Sequence, residues 1–368
     1  MAEPIRHLYF HIPFCPKLCP YCCFYVEEGS KNKTQAFLDA LLREVEQAAA
    51  RYTLQPRTIY FGGGTPSALL TAQLETLFAG LHARLDFSQL EEFTLESNPA
   101  TIRPDKARVL KEGGVTRLSL GVQSWDDALL KTLGRVHSAA QAEKTIGILR
   151  EAGFDDLNID LMFSVPGQTA EQWRATLEKT VSFAPQHVSG YCLTYEEDTE
   201  YFRKLTGGQF VQDIELDAQL FETTMEVLTG AGLAHYEISN YARPGHESIH
   251  NQAYWHGADY LGFGPSAFST VGLQRWENVR DTAAYTRRIL AGESAIGSEE
   301  PLSAETRRSE IAAFGLRTSQ GVPLIELAPW QGEVDKLVRH GLLTADEGYA
   351  RLTARGKLLA DAVAEVFV

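Results

Sequence analysis

The sequence predicts an α/β fold, a partial (β/α)6 barrel joined to a C-terminal winged-helix-like α+β unit. Three observations carry this. Six short apolar or β-branched runs alternate strictly with longer amphipathic stretches. A cluster of cysteines follows directly on the first run. Beyond Leu193 the alternation stops, and helices followed by a hairpin take over. The length of 368 residues, 44% of them hydrophobic, suits one barrel of about 200–250 residues with a smaller unit appended.

The predicted strands are Arg6–His11, Thr58–Phe61, Phe93–Glu96, Arg117–Leu120, Leu157–Met162 and His187–Leu193. The stretches between them that read as helices are Gln35–Ala50, Thr71–Leu85, Lys106–Glu112, Ala140–Ala152 and Ala170–Phe183. Strands joined through helices need right-handed crossovers and so form a parallel sheet. Six units fit an open barrel better than a closed one of eight. Further on, Asp213–Gly230 predicts a long helix ended by its glycine, and Tyr241–Phe268 is rich in Gly, His and aromatics. The polar stretch Ala291–Ser303 predicts a linker. Beyond it, Glu305–Leu316 predicts a helix, LLTADEGYARLT a hairpin and Arg355–Phe367 a final helix. The expected division is a barrel over 1–200, a flanking extension over 201–295 and a winged-helix-like domain over 296–368.

Charge narrows the partners. Against 48 Asp and Glu there are 34 Lys and Arg, a net charge of −14, which argues against a nucleic-acid partner held by bulk charge. The winged unit is therefore given a structural role before a DNA-binding one. No apolar run reaches about 18 residues, and the polar start MAEPIRH carries no signal peptide. The expected compartment is the cytoplasm, with reduced thiols, and peripheral membrane contact stays open.

Four of the five cysteines, Cys15, Cys19, Cys22 and Cys23, fall in one short run, whereas a disulfide framework would spread them along the chain. The spacing Cys15-x-x-x-Cys19-x-x-Cys22 can hold three irons of a cubane and leave the fourth iron open to a ligand. A structural zinc with Cys23 or His11 as fourth ligand is the alternative, but the second separated ligand pair usual for zinc is missing. Successive side chains of an extended segment point opposite ways, which sets Cys23 apart from Cys22.

CxxxCxxC after a first strand resembles the signature of the radical S-adenosylmethionine (SAM) enzymes. The fuller text YFHIPFCPKLCPYC is similar to the oxygen-independent coproporphyrinogen III oxidases and their relatives. That resemblance implies a [4Fe-4S] cluster on Cys15, Cys19 and Cys22 whose unique iron binds the amino and carboxyl groups of SAM. Cys23 departs from the pattern: the oxidases carry an extra cysteine one position later, and related heme chaperones commonly have Asp at this place. Gly62-Gly63-Gly64-Thr65-Pro66 after the second strand resembles the family's GGGTP element, which receives the SAM amino group. The same resemblance places SAM contacts at Tyr9, Tyr21, Gly63, Gly64, Thr65, Glu96, Gln123, Arg135 and Asp160. In physical terms Glu96 can accept hydrogen bonds from a ribose, Tyr21 can offer its face to adenine, and Arg135 paired with Asp160 could order a carboxylate-bearing ligand. Any one of them alone could equally satisfy neighbouring backbone groups at a strand end. Whether one or two SAM molecules bind stays open. Cys192 reads as a small buried core residue.

His246-Glu247-Ser248-Ile249-His250 matches the zinc-protease pattern HExxH, but it follows the loop signal Arg243-Pro244-Gly245 and is rejected. The overlapping His250-Asn251-Gln252-Ala253-Tyr254-Trp255 resembles the HNxxYW motif of the HemW-type heme chaperones. A loop histidine flanked by Tyr and Trp could ligate iron and offer flat faces to a porphyrin, which makes His250 the candidate heme ligand. Only 14 residues precede Cys15, too few for the N-terminal extension of the oxidases. The resemblance to the chaperones spans nearly the whole chain, including SNPA, GVQS, LNIDLMFSVPGQT, LGFGPSAFS and LTARGKLLADAV. It implies heme as ligand and respiratory hemoproteins as recipients. The heme donor, covalent or non-covalent attachment, and a homodimer stay open. Two other activities remain: a coproporphyrinogen III dehydrogenase that oxidatively decarboxylates propionate side chains, and a radical SAM methyltransferase.

Overall fold

The computed structural model describes residues 3–368, so the first two residues of the polar start lie outside it. Six strands form the centre in chain order: β1 (Ile5–Ile12), β2 (Leu54–Gly63), β3 (Glu92–Ser97), β4 (Arg117–Gln123), β5 (Asp156–Phe163) and β6 (His187–Cys192). Each pairs parallel with the next. All seven residues of β4 are buried, as a parallel strand covered on both faces requires. Capping boxes start two of the crossover helices, Ser138 with Gln141 and Thr169 with Gln172. Phe10, Phe61 and Phe93, from three neighbouring strands, pack ring against ring in the core.

The sheet does not end at these six strands. Asn240–Ala242 adds antiparallel to β6, with Ala234–His235 antiparallel beyond it, and Tyr260–Phe263 adds parallel to β1. Three antiparallel strands then follow, Phe268–Val271, Gln274–Asn278 and Ile296–Pro301, to make a sheet of twelve. Both edges of the open barrel are thus paired rather than exposed. Ile296–Pro301 corrects the expectation of a linker over Ala291–Ser303. It is the outermost strand, five of its six residues are exposed, and an edge strand in water has no need of apolar alternation.

A second, smaller core gathers Leu316, Leu343, Val363 and Phe367 around a three-stranded sheet of Val322–Pro323, Tyr349–Leu352 and Leu343–Asp346. The hairpin turns at Glu347 (φ 49°) and Gly348 (φ 82°), two successive left-handed residues of the kind a two-residue hairpin loop demands. The single helix expected over Arg355–Phe367 is instead two short pieces, Ala354–Leu358 and Ala360–Ala364, broken at Leu359 (φ −118°), with a closing 3-10 turn. A helix over Gln331–Arg339 went unpredicted. The unit meets the large sheet through a bidentate pair, Arg275 to Glu310 at 2.8 and 2.7 Å. Among the described residues no helix is long and apolar enough to cross a membrane.

Candidate functional site

The carboxyl ends of the barrel strands and the loop after β1 enclose the first of two neighbouring cavities. Phe14–Cys15 pairs parallel with Glu27–Glu28 and so closes the cysteine loop upon itself. Cys15, Cys19 and Cys22 all line a cavity of about 350 Å³, whereas Cys23 lines the other one. The opposite facing expected of adjacent residues is realised here. Cys15 Sγ lies 3.4 Å from Thr65 Oγ1, and Arg135 Nη1 donates to Cys19 Sγ at 3.7 Å. Burial pushes the Cys15 thiol up and that of Cys22 up to about 11, with neighbouring thiols adding to both. Left to themselves these thiols stay protonated, and a bound metal would deprotonate them outright. Among the described residues no three His, Cys, Asp or Glu side chains converge on one point suited to a single ion. A cubane needs each thiolate at a different iron, and the donor set fits that group.

The same cavity is lined by Tyr21, Gly63, Gly64, Thr65, Glu96, Gln123, Arg135 and Asp160, so eight of the nine residues expected to contact SAM are brought together. Tyr9 is the exception. It faces the larger cavity, with its hydroxyl 3.2 Å from His11 Nδ1. Arg135 and Asp160 also depart from expectation, because they do not pair. Arg135 Nη2 donates to Gly121 O at 2.9 Å, while Asp160 accepts from Ser119 Oγ and Asn158 Nδ2, both at 2.7 Å. Glu96 accepts from Tyr60 OH at 2.8 Å, and burial lifts its pKa to about 7. Gly64 is required by close approach: a Cβ there would meet Ile12 O at 2.7 Å. Gln123 holds a left-handed backbone (φ 68°) and leaves its buried Oε1 without a partner. Arg135 Nε and His137 Nδ1 are likewise buried and unsatisfied among the described residues. The Gln123 and Arg135 atoms lie on residues that line one cavity, the first of them strained, and mark a place built for a polar ligand.

The larger cavity, about 920 Å³, shares Phe24, Tyr60, Gly63, Glu96 and Tyr191 with the smaller. His250 lines it from a helix, Ile249–Trp255, and not from the loop expected. Ser248 caps that helix through its Oγ, and the Glu92 carboxylate accepts from Ile249 N at 2.7 Å and from His250 N at 3.2 Å. The start of β3 thereby fixes the helix to the barrel. Thr58 Oγ1 lies 2.7 Å from His250 Nδ1 and 2.9 Å from His7 Nδ1. Burial, and then the neighbouring His7, lower the His250 pKa to about 3, which keeps the ring neutral. Thr58 Oγ1 can accept from Nδ1–H, and in that tautomer Nε2 retains its lone pair; among the described residues Nε2 makes no hydrogen bond.

Thr58, Glu92, Tyr60 and Tyr191 were not singled out in the sequence, where each reads as ordinary strand content. His246 precedes the helix and sits 3.4 Å from Asp156, so it and His250 do not share a helix face as HExxH requires. Cys192 is exposed, with Sγ 3.5 Å from Ser164 Oγ, which corrects its reading as a core residue.

An open parallel barrel with three thiols and a polar corner on one rim defines a radical SAM protein. Residues 9–180 match the radical SAM superfamily, and 302–359 match the HemN C-terminal domain. The chain is 34% identical to the heme chaperone HemW of Lactococcus lactis, over 100% of this chain and 98% of that protein. Its identity to the HemW of Bacillus subtilis is 33%, over 99% of each, and to that of Escherichia coli 31%, over 99% and 98%. Among solved structures it resembles the coproporphyrinogen III oxidase HemN of Escherichia coli, a radical SAM enzyme. The TM-score is 0.85 and the identity 24%, over 100% of this chain and 90% of that one. The chain belongs to the HemW family of heme chaperones.

Proposed function

We propose that this protein is a heme chaperone that binds heme in the larger cavity through His250 Nε2 and passes it to recipient hemoproteins of the respiratory chain. The observation that carries this reading is the placement of a neutral, oriented imidazole in a cavity of about 920 Å³ walled by Tyr254, Trp255 and Tyr260. That volume lies at the upper end of small-molecule clefts, about 300–1,000 Å³. Cys15, Cys19 and Cys22 hold the [4Fe-4S] cluster in the adjoining cavity, and Gln123, Arg135, Glu96 and Asp160 receive SAM beside it. When bound, the cluster supplies an iron with an open coordination position. The chain's own residues there orient the ligand and compensate its charge. Tyr60, Gly63, Glu96 and Tyr191 stand between the two sites and belong to both. The barrel carries the cluster, the extension over 201–295 carries His250, and the C-terminal unit closes one side.

The test is a heme titration of anaerobically cluster-loaded protein, followed at the Soret band beside His250→Ala. Saturable binding that weakens at least tenfold in the variant is expected. Absence of saturable binding by the parent protein overturns the reading. The polar corner of the smaller cavity favours a second reading, a coproporphyrinogen III dehydrogenase. Formation of protoporphyrinogen from coproporphyrinogen III, with SAM under reducing conditions, would establish that instead.

A further inference from the structure

Three polar side chains on the wall of the larger cavity, away from His250, each leave one buried atom without a partner among the described residues. Arg317, from the C-terminal unit, lays its guanidinium over the Trp255 ring, 5.2 Å from the centroid. Its Nη1 pairs with Asp361, which is 87% exposed. Arg317 Nε is buried with no hydrogen-bond partner among the described residues, and so is Trp255 Nε1. Both groups are donors only. Asn240, 4% exposed, leaves Oδ1 unpartnered on the same wall. A buried donor left unmet is costly, and two of them in ring contact, one cationic, call for an anionic acceptor.

We infer that Arg317 and Trp255 form a carboxylate-binding corner of the larger cavity that takes a propionate of the bound tetrapyrrole, an inference that rests on the heme-binding reading above. The unused edge of the guanidinium is the one that grips a carboxylate through two parallel bonds. Trp255 follows His250 by five residues on one helix, an axial rise of about 7.5 Å. The iron ligand and the carboxylate corner are thus set apart on the wall of a single cavity, as the metal and a peripheral carboxylate are in a flat macrocycle. Glu237 also lines this wall, where it accepts from Ser239 N at 3.0 Å. Burial pushes its carboxyl pKa up against the opposing pull of Asn240 and of the Arg317 charge. Arg280 reaches the cavity too, but its side chain is 70% exposed and pairs with Glu277 at 2.7 Å, so it is not the anchor.

The inference is tested with two probes, heme and heme dimethyl ester, titrated at the Soret band against the cluster-loaded full chain and its Arg317→Gln and Trp255→Phe variants. The parent should bind heme at least tenfold more tightly than the diester, as expected for a charge-assisted hydrogen bond. Arg317→Gln should bring heme down to the diester's affinity while diester binding stays unchanged, which also shows the cavity intact. Equal affinities in the parent, or a preference that survives in both variants, would overturn the inference with heme binding still standing. If the parent binds neither probe, the heme-binding reading falls and this one with it. Should Arg317→Gln lose both ligands, Trp255→Phe decides: a reduced preference supports the corner, an undiminished one refutes it.

Discussion

Thr58 on β2 holds its hydroxyl 2.7 Å from Nδ1 of His250, a residue 192 positions further along the chain. A hydrogen bond to one ring nitrogen orients the other, and where Nδ1–H is the donor it leaves Nε2 free to bind a metal. Thr58→Val keeps the shape of the side chain and removes the bond. Heme affinity should fall about 10- to 100-fold, the usual cost of losing such a partner, with cluster content unchanged. An unaltered titration curve would show that Thr58 does not orient the ligand.

The cysteine loop makes a sharp distinction between adjacent residues. Cys19 lines the cavity with Cys15 and Cys22, while Cys23 lines the larger one. Cys23→Ser should retain the iron and sulfide content and visible absorption of the parent after reconstitution, and Cys19→Ser should lose most of both. Equal losses in the two variants would put Cys23 in the cluster.

Gln123 has a left-handed backbone at the end of β4, a conformation that costs a non-glycine residue on the order of 1 kcal/mol or more. Gln123→Gly relieves that strain and deletes the unpartnered Oε1. The variant should melt at the parent's temperature or a few degrees above it, and bind SAM more weakly by equilibrium dialysis. A less stable variant with unchanged SAM affinity would assign Gln123 to packing.

His235 joins the barrel to the C-terminal unit. Its Nε2–H donates to Ile238 O at 3.0 Å, its Nδ1 accepts from Lys357 Nζ at 3.0 Å, and its ring stacks on Tyr241 at 4.2 Å. Burial, and then the Lys357 charge, lower its pKa to about 3. Between that value and 6.5 the unfolded chain binds a proton that the folded one does not, so this share of stability is present above pH 6.5 and lost as the pH falls. From pH 7 to pH 5 the loss is about 2 kcal/mol. Glu44 and Glu96, raised to about 7, work in the opposite sense but are common to parent and variant. In urea unfolding, His235→Gln should therefore lose about 2 kcal/mol less than the parent between the two pH values. An identical loss would refute the assignment.

Much of the fold is legible because local signals and tertiary roles agree. All six barrel strands and the five helices predicted between them lie where hydrophobic runs and amphipathic stretches put them, within a few residues, while the short helix Asp127–Thr132 lies outside those stretches. Legibility fails where an element is defined by its neighbours. Ile296–Pro301 is a strand because Gln274–Asn278 offers it an edge, not because of its own pattern. Likewise Leu359 breaks a stretch whose composition would carry one helix through.

The barrel, the cysteine loop and the residue types at the strand ends are legible from local pattern, since each is written in short-range spacing. The sequence also marks His250 through the motif that contains it. Folding alone gives Arg135 and Asp160 different partners and turns Tyr9 to the larger cavity, and it alone brings Thr58, Glu92 and Arg317 together on the helix bearing His250. The contacts on that helix join residues about 60 to 190 positions apart. Local spacing holds no record of which distant side chains a folded sheet brings within hydrogen-bonding distance, because register and crossover geometry settle that.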